Sequence, residues 1–173
     1  MKVVIDTNIL INASNDESSS AFRILKEVIE VRLNILAREA EVRLQADSPA
    51  SLRAWVDPIR FEEVVSNLVM NAIRFSPEGG VVWIRPWDDD QTLHLSVRDQ
   101  GESLPEGDRE RIFQPYERAK RSSRLGGLGL GLYIARQIAR LHGGSVELSE
   151  SSAGRGNAFE ARFPIRQENK LTA

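Results

Sequence analysis

Cysteine is absent from this 173-residue sequence, which excludes disulfide bonds, thiolate metal sites and a cysteine nucleophile. Long apolar runs are also absent: none approaches the roughly 18 residues of a membrane-spanning helix, and Asp6 interrupts the short apolar stretch at the N-terminus. Strong charge of one sign is lacking too, because the formal net charge is only -2 at pH 7. We therefore expect a cytoplasmic protein that contacts neither nucleic acid nor membrane.

The composition that remains is that of an ordinary globular domain, with 41% hydrophobic and 28% charged residues. Predicted helices and strands alternate irregularly, and several strands are adjacent in sequence. This order favours an α/β two-layer sandwich over a doubly wound parallel sheet. Besides a strand at residues 3–10, the predicted strands are residues 41–46, 52–56, 81–87, 92–97, 145–148 and 158–165. The predicted helices are residues 21–40, 57–76 and 128–141. The long polar connection at 99–126, with a short helix at 106–113, is predicted to be a lid.

Two asparagines, Asn67 and Asn71, lie four residues apart on one face of the helix predicted to begin at Asp57. Mg²⁺ prefers hard oxygen ligands and keeps several waters, so one amide oxygen from Asn71 with phosphate oxygens is a suitable ligand set. Arg74 is placed to reach a phosphate, and Phe75 is placed to lie against a base. The alternative is that both asparagines are simply solvated.

A carboxylate and a glycine, Asp99 and Gly101, follow the end of a predicted strand. A buried carboxylate there can accept a hydrogen bond from the exocyclic amine of adenine. Three alternate glycines, Gly127, Gly129 and Gly131, then open a predicted helix, whose N–H groups and dipole suit an anionic phosphate. Dinucleotide-binding domains also contain such a run, but early in the chain and after a strand. Here a polar loop precedes it, so we do not favour that alternative.

In this order the motifs resemble those of the ATP-binding domain of sensor histidine kinases, in the superfamily that includes gyrase, Hsp90 and MutL. Residues 67–77 resemble the asparagine box, 99–101 the first glycine box, 112–116 the phenylalanine box, 127–132 the second glycine box and 154–159 the last glycine motif. The resemblance extends from about residue 28 to residue 165. It implies the Bergerat fold, a mixed, mostly antiparallel sheet covered on one face by about three helices.

The resemblance also implies two ligands, ATP and Mg²⁺, and a role for each motif residue. Asn71 would ligate the metal, Asp99 would recognise adenine, and Arg74 and Phe75 would contact phosphate and base. Further nucleotide contacts would come from Gly101, Gly127, Leu128, Gly129, Leu130 and Gly131. Asn67 stands where hydrolytic members carry a glutamate, and an amide cannot act as a general base. We therefore expect slow hydrolysis and phosphoryl transfer to another group, with catalytic roles for Asn67 and Arg74.

The sequence departs from the family pattern in two motifs. The first glycine box continues as Gly101-Glu102-Ser103, where Gly-Pro-Gly is usual, and Glu102 adds negative charge near an anionic ligand. The last motif has Asn157 where threonine is common. These departures bear on nucleotide affinity and lid geometry, but not on the fold.

The sequence contains two histidines, His94 in a predicted strand and His142 in the turn after the last helix. We predict structural roles for both, because the first alternates with core residues and the second is placed to cap the helix. We therefore expect the γ-phosphoryl group to pass in trans to a histidine on a separate dimerisation domain, with a response regulator as a further partner. The alternatives are a nucleotide-binding module with little or no catalysis and an anti-sigma-type serine kinase.

The N-terminus differs in kind, since residues 1–10 resemble the start of a PIN-type ribonuclease, a likeness that continues to about residue 30. Asp6 would be the first of several metal-binding carboxylates there, but the remaining chain matches the kinase domain, so we favour an added strand over nuclease activity. The division is then a PIN-like segment at 1–27, interpreted as a fusion remnant, an ATP-binding domain at 28–165 and a tail at 166–173. An added N-terminal strand would also favour a homodimer.

Overall fold

The computed structural model describes residues 29, 33–46, 57–89, 91–117, 128–149 and 156–165. Within these residues the helices are α1 (Asn34–Glu39), α2 (Pro58–Phe75) and α3 (Gly131–Leu141), and the strands are β1 (Arg43–Ala46), β2 (Val81–Asp88), β3 (Thr92–Arg98), β4 (Ser145–Ser149) and β5 (Ala158–Pro164). The PIN-like segment at 1–27, the strand predicted at 52–56 and the tail at 166–173 lie outside the described residues. The proposed domain division therefore stays a prediction.

The strands of the described residues form one five-stranded sheet in the order β1-β2-β3-β5-β4. β1 and β2 are parallel and are connected through α2, whereas the other neighbouring strands are antiparallel. In the central pairs, Trp83 lies opposite Arg98 and Leu95 lies opposite Ala161. The mixed, mostly antiparallel sheet that the resemblance implies is thus confirmed.

The helices cover one face of this sheet, as expected for a two-layer sandwich. Side chains alternate along each strand, and one of the two sets is buried together with the apolar face of α2. The buried set includes Leu44, Val82, Ile84, Leu93, Leu95, Val97, Phe159, Ala161 and Phe163 from the strands, and Phe61, Val65, Leu68 and Ala72 from α2. In the part of the chain that the structure describes, no helix is long and apolar enough to cross a bilayer.

α2, which carries both asparagines, begins where the sequence predicts. Asp57 is its N-cap residue, and Pro58 occupies the first helical position. The Oδ1 atom of Asp57 accepts hydrogen bonds from the backbone N–H groups of Ile59 at 2.9 Å and Arg60 at 3.1 Å. These bonds satisfy two of the N–H groups that the first turn of a helix leaves without a helical partner.

We expect Asp57→Ala to lower the free energy of unfolding by about 1 kcal/mol, because two N–H groups lose their acceptor while the core is unchanged. Chemical denaturation measures this change. Glu78→Ala, which removes an exposed carboxylate from the turn after α2, is the matched control and should change stability by less than about 0.5 kcal/mol. Equal stability of Asp57→Ala and the wild type would contradict the assigned cap.

Two predicted helices differ from the structure. The helix predicted at 128–141 begins only at Gly131, because Gly129 has a φ of 70°, outside the range of a right-handed helix. The short helix predicted at 106–113 is instead two 3₁₀ turns, Glu106–Asp108 and Arg111–Phe113. The predicted lid therefore begins with tight turns rather than with a regular helix.

Candidate nucleotide-binding site

One face of α2 lies between the two glycine boxes. Asn67, Asn71 and Phe75 follow one another at intervals of one turn on this face, and all three are half-buried. A β-carbon added to Gly131 would stand 3.0 Å from Asn67 Oδ1. A β-carbon added to Gly101 would collide with the carbonyl oxygen of Phe75. The fold therefore brings the asparagine box and both glycine boxes together along about 12 Å of helix.

Asp99 is the buried carboxylate of the site, with 1% of its surface exposed directly after β3. Its Oδ1 atom accepts hydrogen bonds from the N–H groups of Gly101 at 2.8 Å and Asn157 at 3.1 Å, and from Asn157 Nδ2 at 3.2 Å. Its Oδ2 atom has one long contact, 3.5 Å to Asn157 Nδ2, among the described residues. Oδ2 thus keeps acceptor capacity for a further N–H donor.

Burial also sets the protonation chemistry of this carboxylate. Burial raises the pKa of Asp99, and the hydrogen bonds from Gly101 and Asn157 oppose the rise. These donors stabilise the ionised form, which is the form that accepts a hydrogen bond at both oxygens.

The last glycine motif closes against the backbone of Asp99. Gly156 has a φ of 89°, and a β-carbon there would collide with the Asp99 carbonyl oxygen. The N–H group of Asp99 donates to the carbonyl oxygen of Asn157 at 2.9 Å. The sequence interpretation assigned no site role to Gly156 or Asn157. The one sequence signal for a role of Asn157 was its departure from the family pattern. Local spacing does not reveal that its partner is Asp99, 58 residues away.

The second glycine box forms a turn that leads into α3. The carbonyl oxygen of Gly129 accepts a hydrogen bond from the N–H of Tyr116 at 3.2 Å, and a β-carbon on Gly129 would stand 2.7 Å from the carbonyl oxygen of Glu117. Leu130 is the N-cap residue of α3, and its side chain makes no capping hydrogen bond. The first turn of α3 therefore leaves backbone N–H groups available to an anion beside Asn67.

Three predicted residues are less closely built into the site. Arg74 is exposed in the last turn of α2, and Leu128 is exposed before the glycine turn. Gly127 lies outside the described residues. The structure thus brings together the asparagines, Asp99 and three of the glycines, while Arg74 and Leu128 lie at its solvent-exposed edge.

Arg136 of α3 contacts the first part of the predicted lid, at Glu110 and Phe113. The sequence interpretation did not identify this residue. Its guanidinium donates to Glu110 Oε2 at 2.8 Å and lies over the Phe113 ring, 4.3 Å from the ring centroid. The Phe113 ring in turn meets Phe159 edge-on, with centroids 6.2 Å apart. The phenylalanine box is therefore packed between α3 and the sheet.

Both histidines have the structural roles predicted for them. His94 stacks on Trp87 with ring centroids 4.8 Å apart, and its Nδ1 lies 3.2 Å from Glu160 Oε1. His142 ends α3, with its Nδ1 2.9 Å from the carbonyl oxygen of Ile138.

The donor set of this site suits a magnesium ion that arrives with a nucleotide. Within the described ranges, no group of three or more His, Asp or Glu side chains is arranged to hold a metal ion. Mg²⁺ is commonly held by substrate phosphates, waters and one or two protein oxygens, so it needs no such group. The Asn71 amide supplies one hard oxygen on the face between Asn67 and Phe75.

Known protein families and curated proteins include several that are similar to this chain. Residues 56–167 match the family described as histidine kinase-, DNA gyrase B- and HSP90-like ATPases. The chain is 34% identical over 133 residues to the circadian input-output histidine kinase CikA of Synechococcus elongatus, a match that covers 74% of this chain. The chain spans between 18% and 33% of the lengths of CikA and three similar curated kinases.

Solved structures are similar over most of the chain. The catalytic domain of histidine kinase ThkA is 30% identical with a TM-score of 0.71, and the match covers 83% of this chain and 92% of that domain. A structure of ThkA in complex with the response regulator protein TrrA is 27% identical with a TM-score of 0.69, covering 86% of this chain and 41% of that chain.

Proposed function

The chain belongs to the family of histidine kinase-, DNA gyrase B- and HSP90-like ATPases, and we propose that it binds Mg-ATP as the catalytic domain of a two-component sensor histidine kinase. The observation that carries this proposal is the buried carboxylate of Asp99. Protein donors occupy Oδ1, whereas Oδ2 has only a 3.5 Å contact with Asn157 Nδ2 and keeps acceptor capacity. The exocyclic amine of adenine is a donor that fits this acceptor.

We therefore propose a place for each part of the nucleotide. Adenine lies at Asp99 with Phe75 against its ring, and the triphosphate extends along α2 towards the N-terminus of α3. Asn71 would hold Mg²⁺ through its amide oxygen, and the ion, when bound, neutralises phosphate charge. The exposed guanidinium of Arg74 is free to turn towards a phosphate.

The reaction we propose is transfer of the γ-phosphoryl group to an imidazole. A ring nitrogen of the acceptor histidine forms the new N–P bond, the bond from the γ-phosphorus to its bridging oxygen breaks, and ADP leaves. The attacking nitrogen is the unprotonated one of a neutral imidazole, and after the transfer the other ring nitrogen releases its proton to solvent. Asn67 stands beside the start of α3 as an amide, which is unable to deprotonate water, so hydrolysis remains slow.

The acceptor is then a histidine on a separate dimerisation domain, because His94 and His142 have structural roles. A response regulator is the partner we propose downstream, and the complex of ThkA with TrrA supports it. The cytoplasmic location and the homodimer through an N-terminal strand stay predictions.

We expect ATP to bind roughly tenfold more tightly in the presence of Mg²⁺ than in the presence of EDTA. We expect Asn71→Ala to remove this difference in affinity. The reason is that only the metal-dependent part of binding uses the Asn71 amide oxygen. Calorimetric titration with and without Mg²⁺ measures both values. Gln45→Ala, which removes an exposed amide from β1, is the matched control and should keep the full magnesium effect.

A transfer assay then separates the alternatives. Labelled ATP is incubated with the chain and a separately supplied histidine-bearing dimerisation hairpin, and acid-labile label on the hairpin is the expected result. Binding without transfer would indicate a nucleotide-binding module instead, and transfer to a serine protein would indicate an anti-sigma-type kinase. Absence of ATP binding would overturn all three.

A further inference from the structure

The side chain of Asn157, to which the proposed function gives no role, lies at the centre of a hydrogen-bond cluster that includes the Asp99 carboxylate. Asn157 is buried, with 7% of its surface exposed. Its Nδ2 atom donates to Asp99 Oδ1 at 3.2 Å and to the carbonyl oxygen of Glu102 at 3.1 Å. Its Oδ1 atom accepts from the N–H of Leu104 at 2.9 Å. One side chain therefore connects the carboxylate of Asp99 to the loop formed by residues 102–104.

The partners of this amide determine its orientation. Asp99 and the Glu102 carbonyl offer only acceptors, whereas the Leu104 N–H is a donor, so the NH₂ group must lie towards the first two and the oxygen towards the third. The reverse orientation would place donor against donor in a buried site, which is costly. The side chain is therefore fixed, and the carboxylate that it contacts is fixed with it.

We propose that Asn157 is a positioning residue that orients the Asp99 carboxylate and thereby sets the preference for a purine with a 6-amino group. This inference rests on the proposed function as an ATP-binding domain. Nδ2 holds Oδ1 in contact with protein donors, which leaves Oδ2 with the acceptor capacity that the nucleotide requires. The same side chain holds the 102–104 loop, where this sequence lacks the usual second glycine.

Threonine, common at this position in the family, would not make the same set of contacts. A hydroxyl carries a single hydrogen, so it donates either to Asp99 or to Glu102 at any moment, whereas the Asn157 amide donates to both. Asparagine thus fits the altered glycine box of this chain, because its side chain binds the loop and the carboxylate at the same time.

The backbone makes this proposal testable without destroying the fold. The N–H of Asn157 donates to Asp99 Oδ1 at 3.1 Å, and the N–H of Asp99 donates to the carbonyl oxygen of Asn157 at 2.9 Å. Substitution of the side chain leaves both bonds in place. Ser103→Ala is the matched control, because Ser103 Oγ donates to the carbonyl oxygen of Gly156 at 3.4 Å and does not contact Asp99.

The experiment compares ATP with purine riboside triphosphate, which carries hydrogen in place of the 6-amino group. The wild type should bind ATP roughly tenfold or more tightly than purine riboside triphosphate, because only ATP forms the hydrogen bond to the charged carboxylate. Asn157→Ala should lower this preference to about threefold or less, mainly by weakening ATP binding. Asn157→Thr should fall between the two, and Ser103→Ala should keep the wild-type preference.

The outcomes are distinguishable by the ratio of the two dissociation constants. A preference in Asn157→Ala equal to that of the wild type would overturn the positioning role, even if both affinities fell. If the alanine variant fails to fold, a wild-type preference in Asn157→Thr overturns it equally. A wild type that binds neither nucleotide overturns the proposed function itself, whereas a wild type that discriminates supports that function whatever the variants do.

Discussion

Asp99→Asn should reduce ATP affinity by about a hundredfold or more while the fold stays intact. An asparagine at this position keeps an oxygen for the donors that now bind Oδ1, which are the N–H groups of Gly101 and Asn157 and the Asn157 amide. Its NH₂ group then takes the place of Oδ2. The adenine amine would meet a donor instead of an acceptor, so the site loses a charge-assisted hydrogen bond and gains an unpaired donor.

Stability separates this effect from unfolding. Burial raises the pKa of Asp99, so the ionised carboxylate opposes folding above that raised pKa, and the opposition is relieved as the pH falls through it. The amide removes this cost while forming weaker hydrogen bonds, and we expect the free energy of unfolding at pH 7 to stay within about 1 kcal/mol of the wild type. Retained ATP affinity in a folded variant would contradict the adenine assignment.

Asp89→Asn is the matched control for this experiment. Asp89 Oδ1 also accepts two backbone N–H groups, from Gln91 at 2.8 Å and Thr92 at 2.7 Å. It lies before β3, about 23 Å from the end that carries Asp99. ATP affinity should be unchanged in the control. Inosine triphosphate provides a positive test. Its 6-oxo group would accept a hydrogen bond from the new amide, so inosine triphosphate should bind Asp99→Asn more tightly than ATP does.

Gly156→Ala should lower the free energy of unfolding by about 3 kcal/mol or more. The same substitution should also lower the affinity for ATP. The φ of 89° disfavours any residue with a β-carbon, and that carbon would collide with the Asp99 carbonyl oxygen. Relief of the collision requires separation of Gly156 from the loop that carries Asp99. Denaturation and ATP titration of the same variant measure the two losses.

Substitution of two other glycines separates the backbone strain from the steric collision in the loss of stability expected for Gly156→Ala. Gly79 has a φ of 75° with nothing within 4 Å of an added β-carbon, so Gly79→Ala measures the backbone strain alone, about 1 kcal/mol. Gly107 has neither a positive φ nor a neighbour within 4 Å, so Gly107→Ala should change stability by less than about 0.5 kcal/mol. A loss at Gly156 no larger than the loss at Gly79 would show that the close approach to Asp99 is not rigid.

Features that depend on neighbouring residues could be predicted from the sequence. The Asp57 cap follows from the Asp57-Pro58 pair, whereas the buried face of α2 and the placement of Asn67 and Asn71 on one face follow from helical periodicity. The structure has all of them. The start of α3 could not be placed in the same way. Three alternate glycines allow either a helix or a left-handed turn, and the structure has the turn, with the Gly129 carbonyl oxygen bonded to the N–H of Tyr116.

Features that depend on strand register could not be predicted. The role of Asn157 follows from the pairing of β3 with β5, which places Arg98 opposite Ala158 and so brings the residues beyond them together. Arg136 is similar, since its ion pair with Glu110 joins α3 to a turn 26 residues earlier. No local pattern in the sequence specifies either partner.

The pairing of Asp99 with a residue 58 positions later has a consequence for the order in which the protein is made. When β3 has left the ribosome, the chain contains the Asp99 carboxylate that we propose binds adenine, but it lacks the strand that orients this carboxylate. With the proposed site, we expect the nascent chain to acquire affinity for nucleotide only after β5 has emerged and paired. ATP that binds only this finished arrangement would stabilise completed sheets and would not stabilise partly synthesised ones.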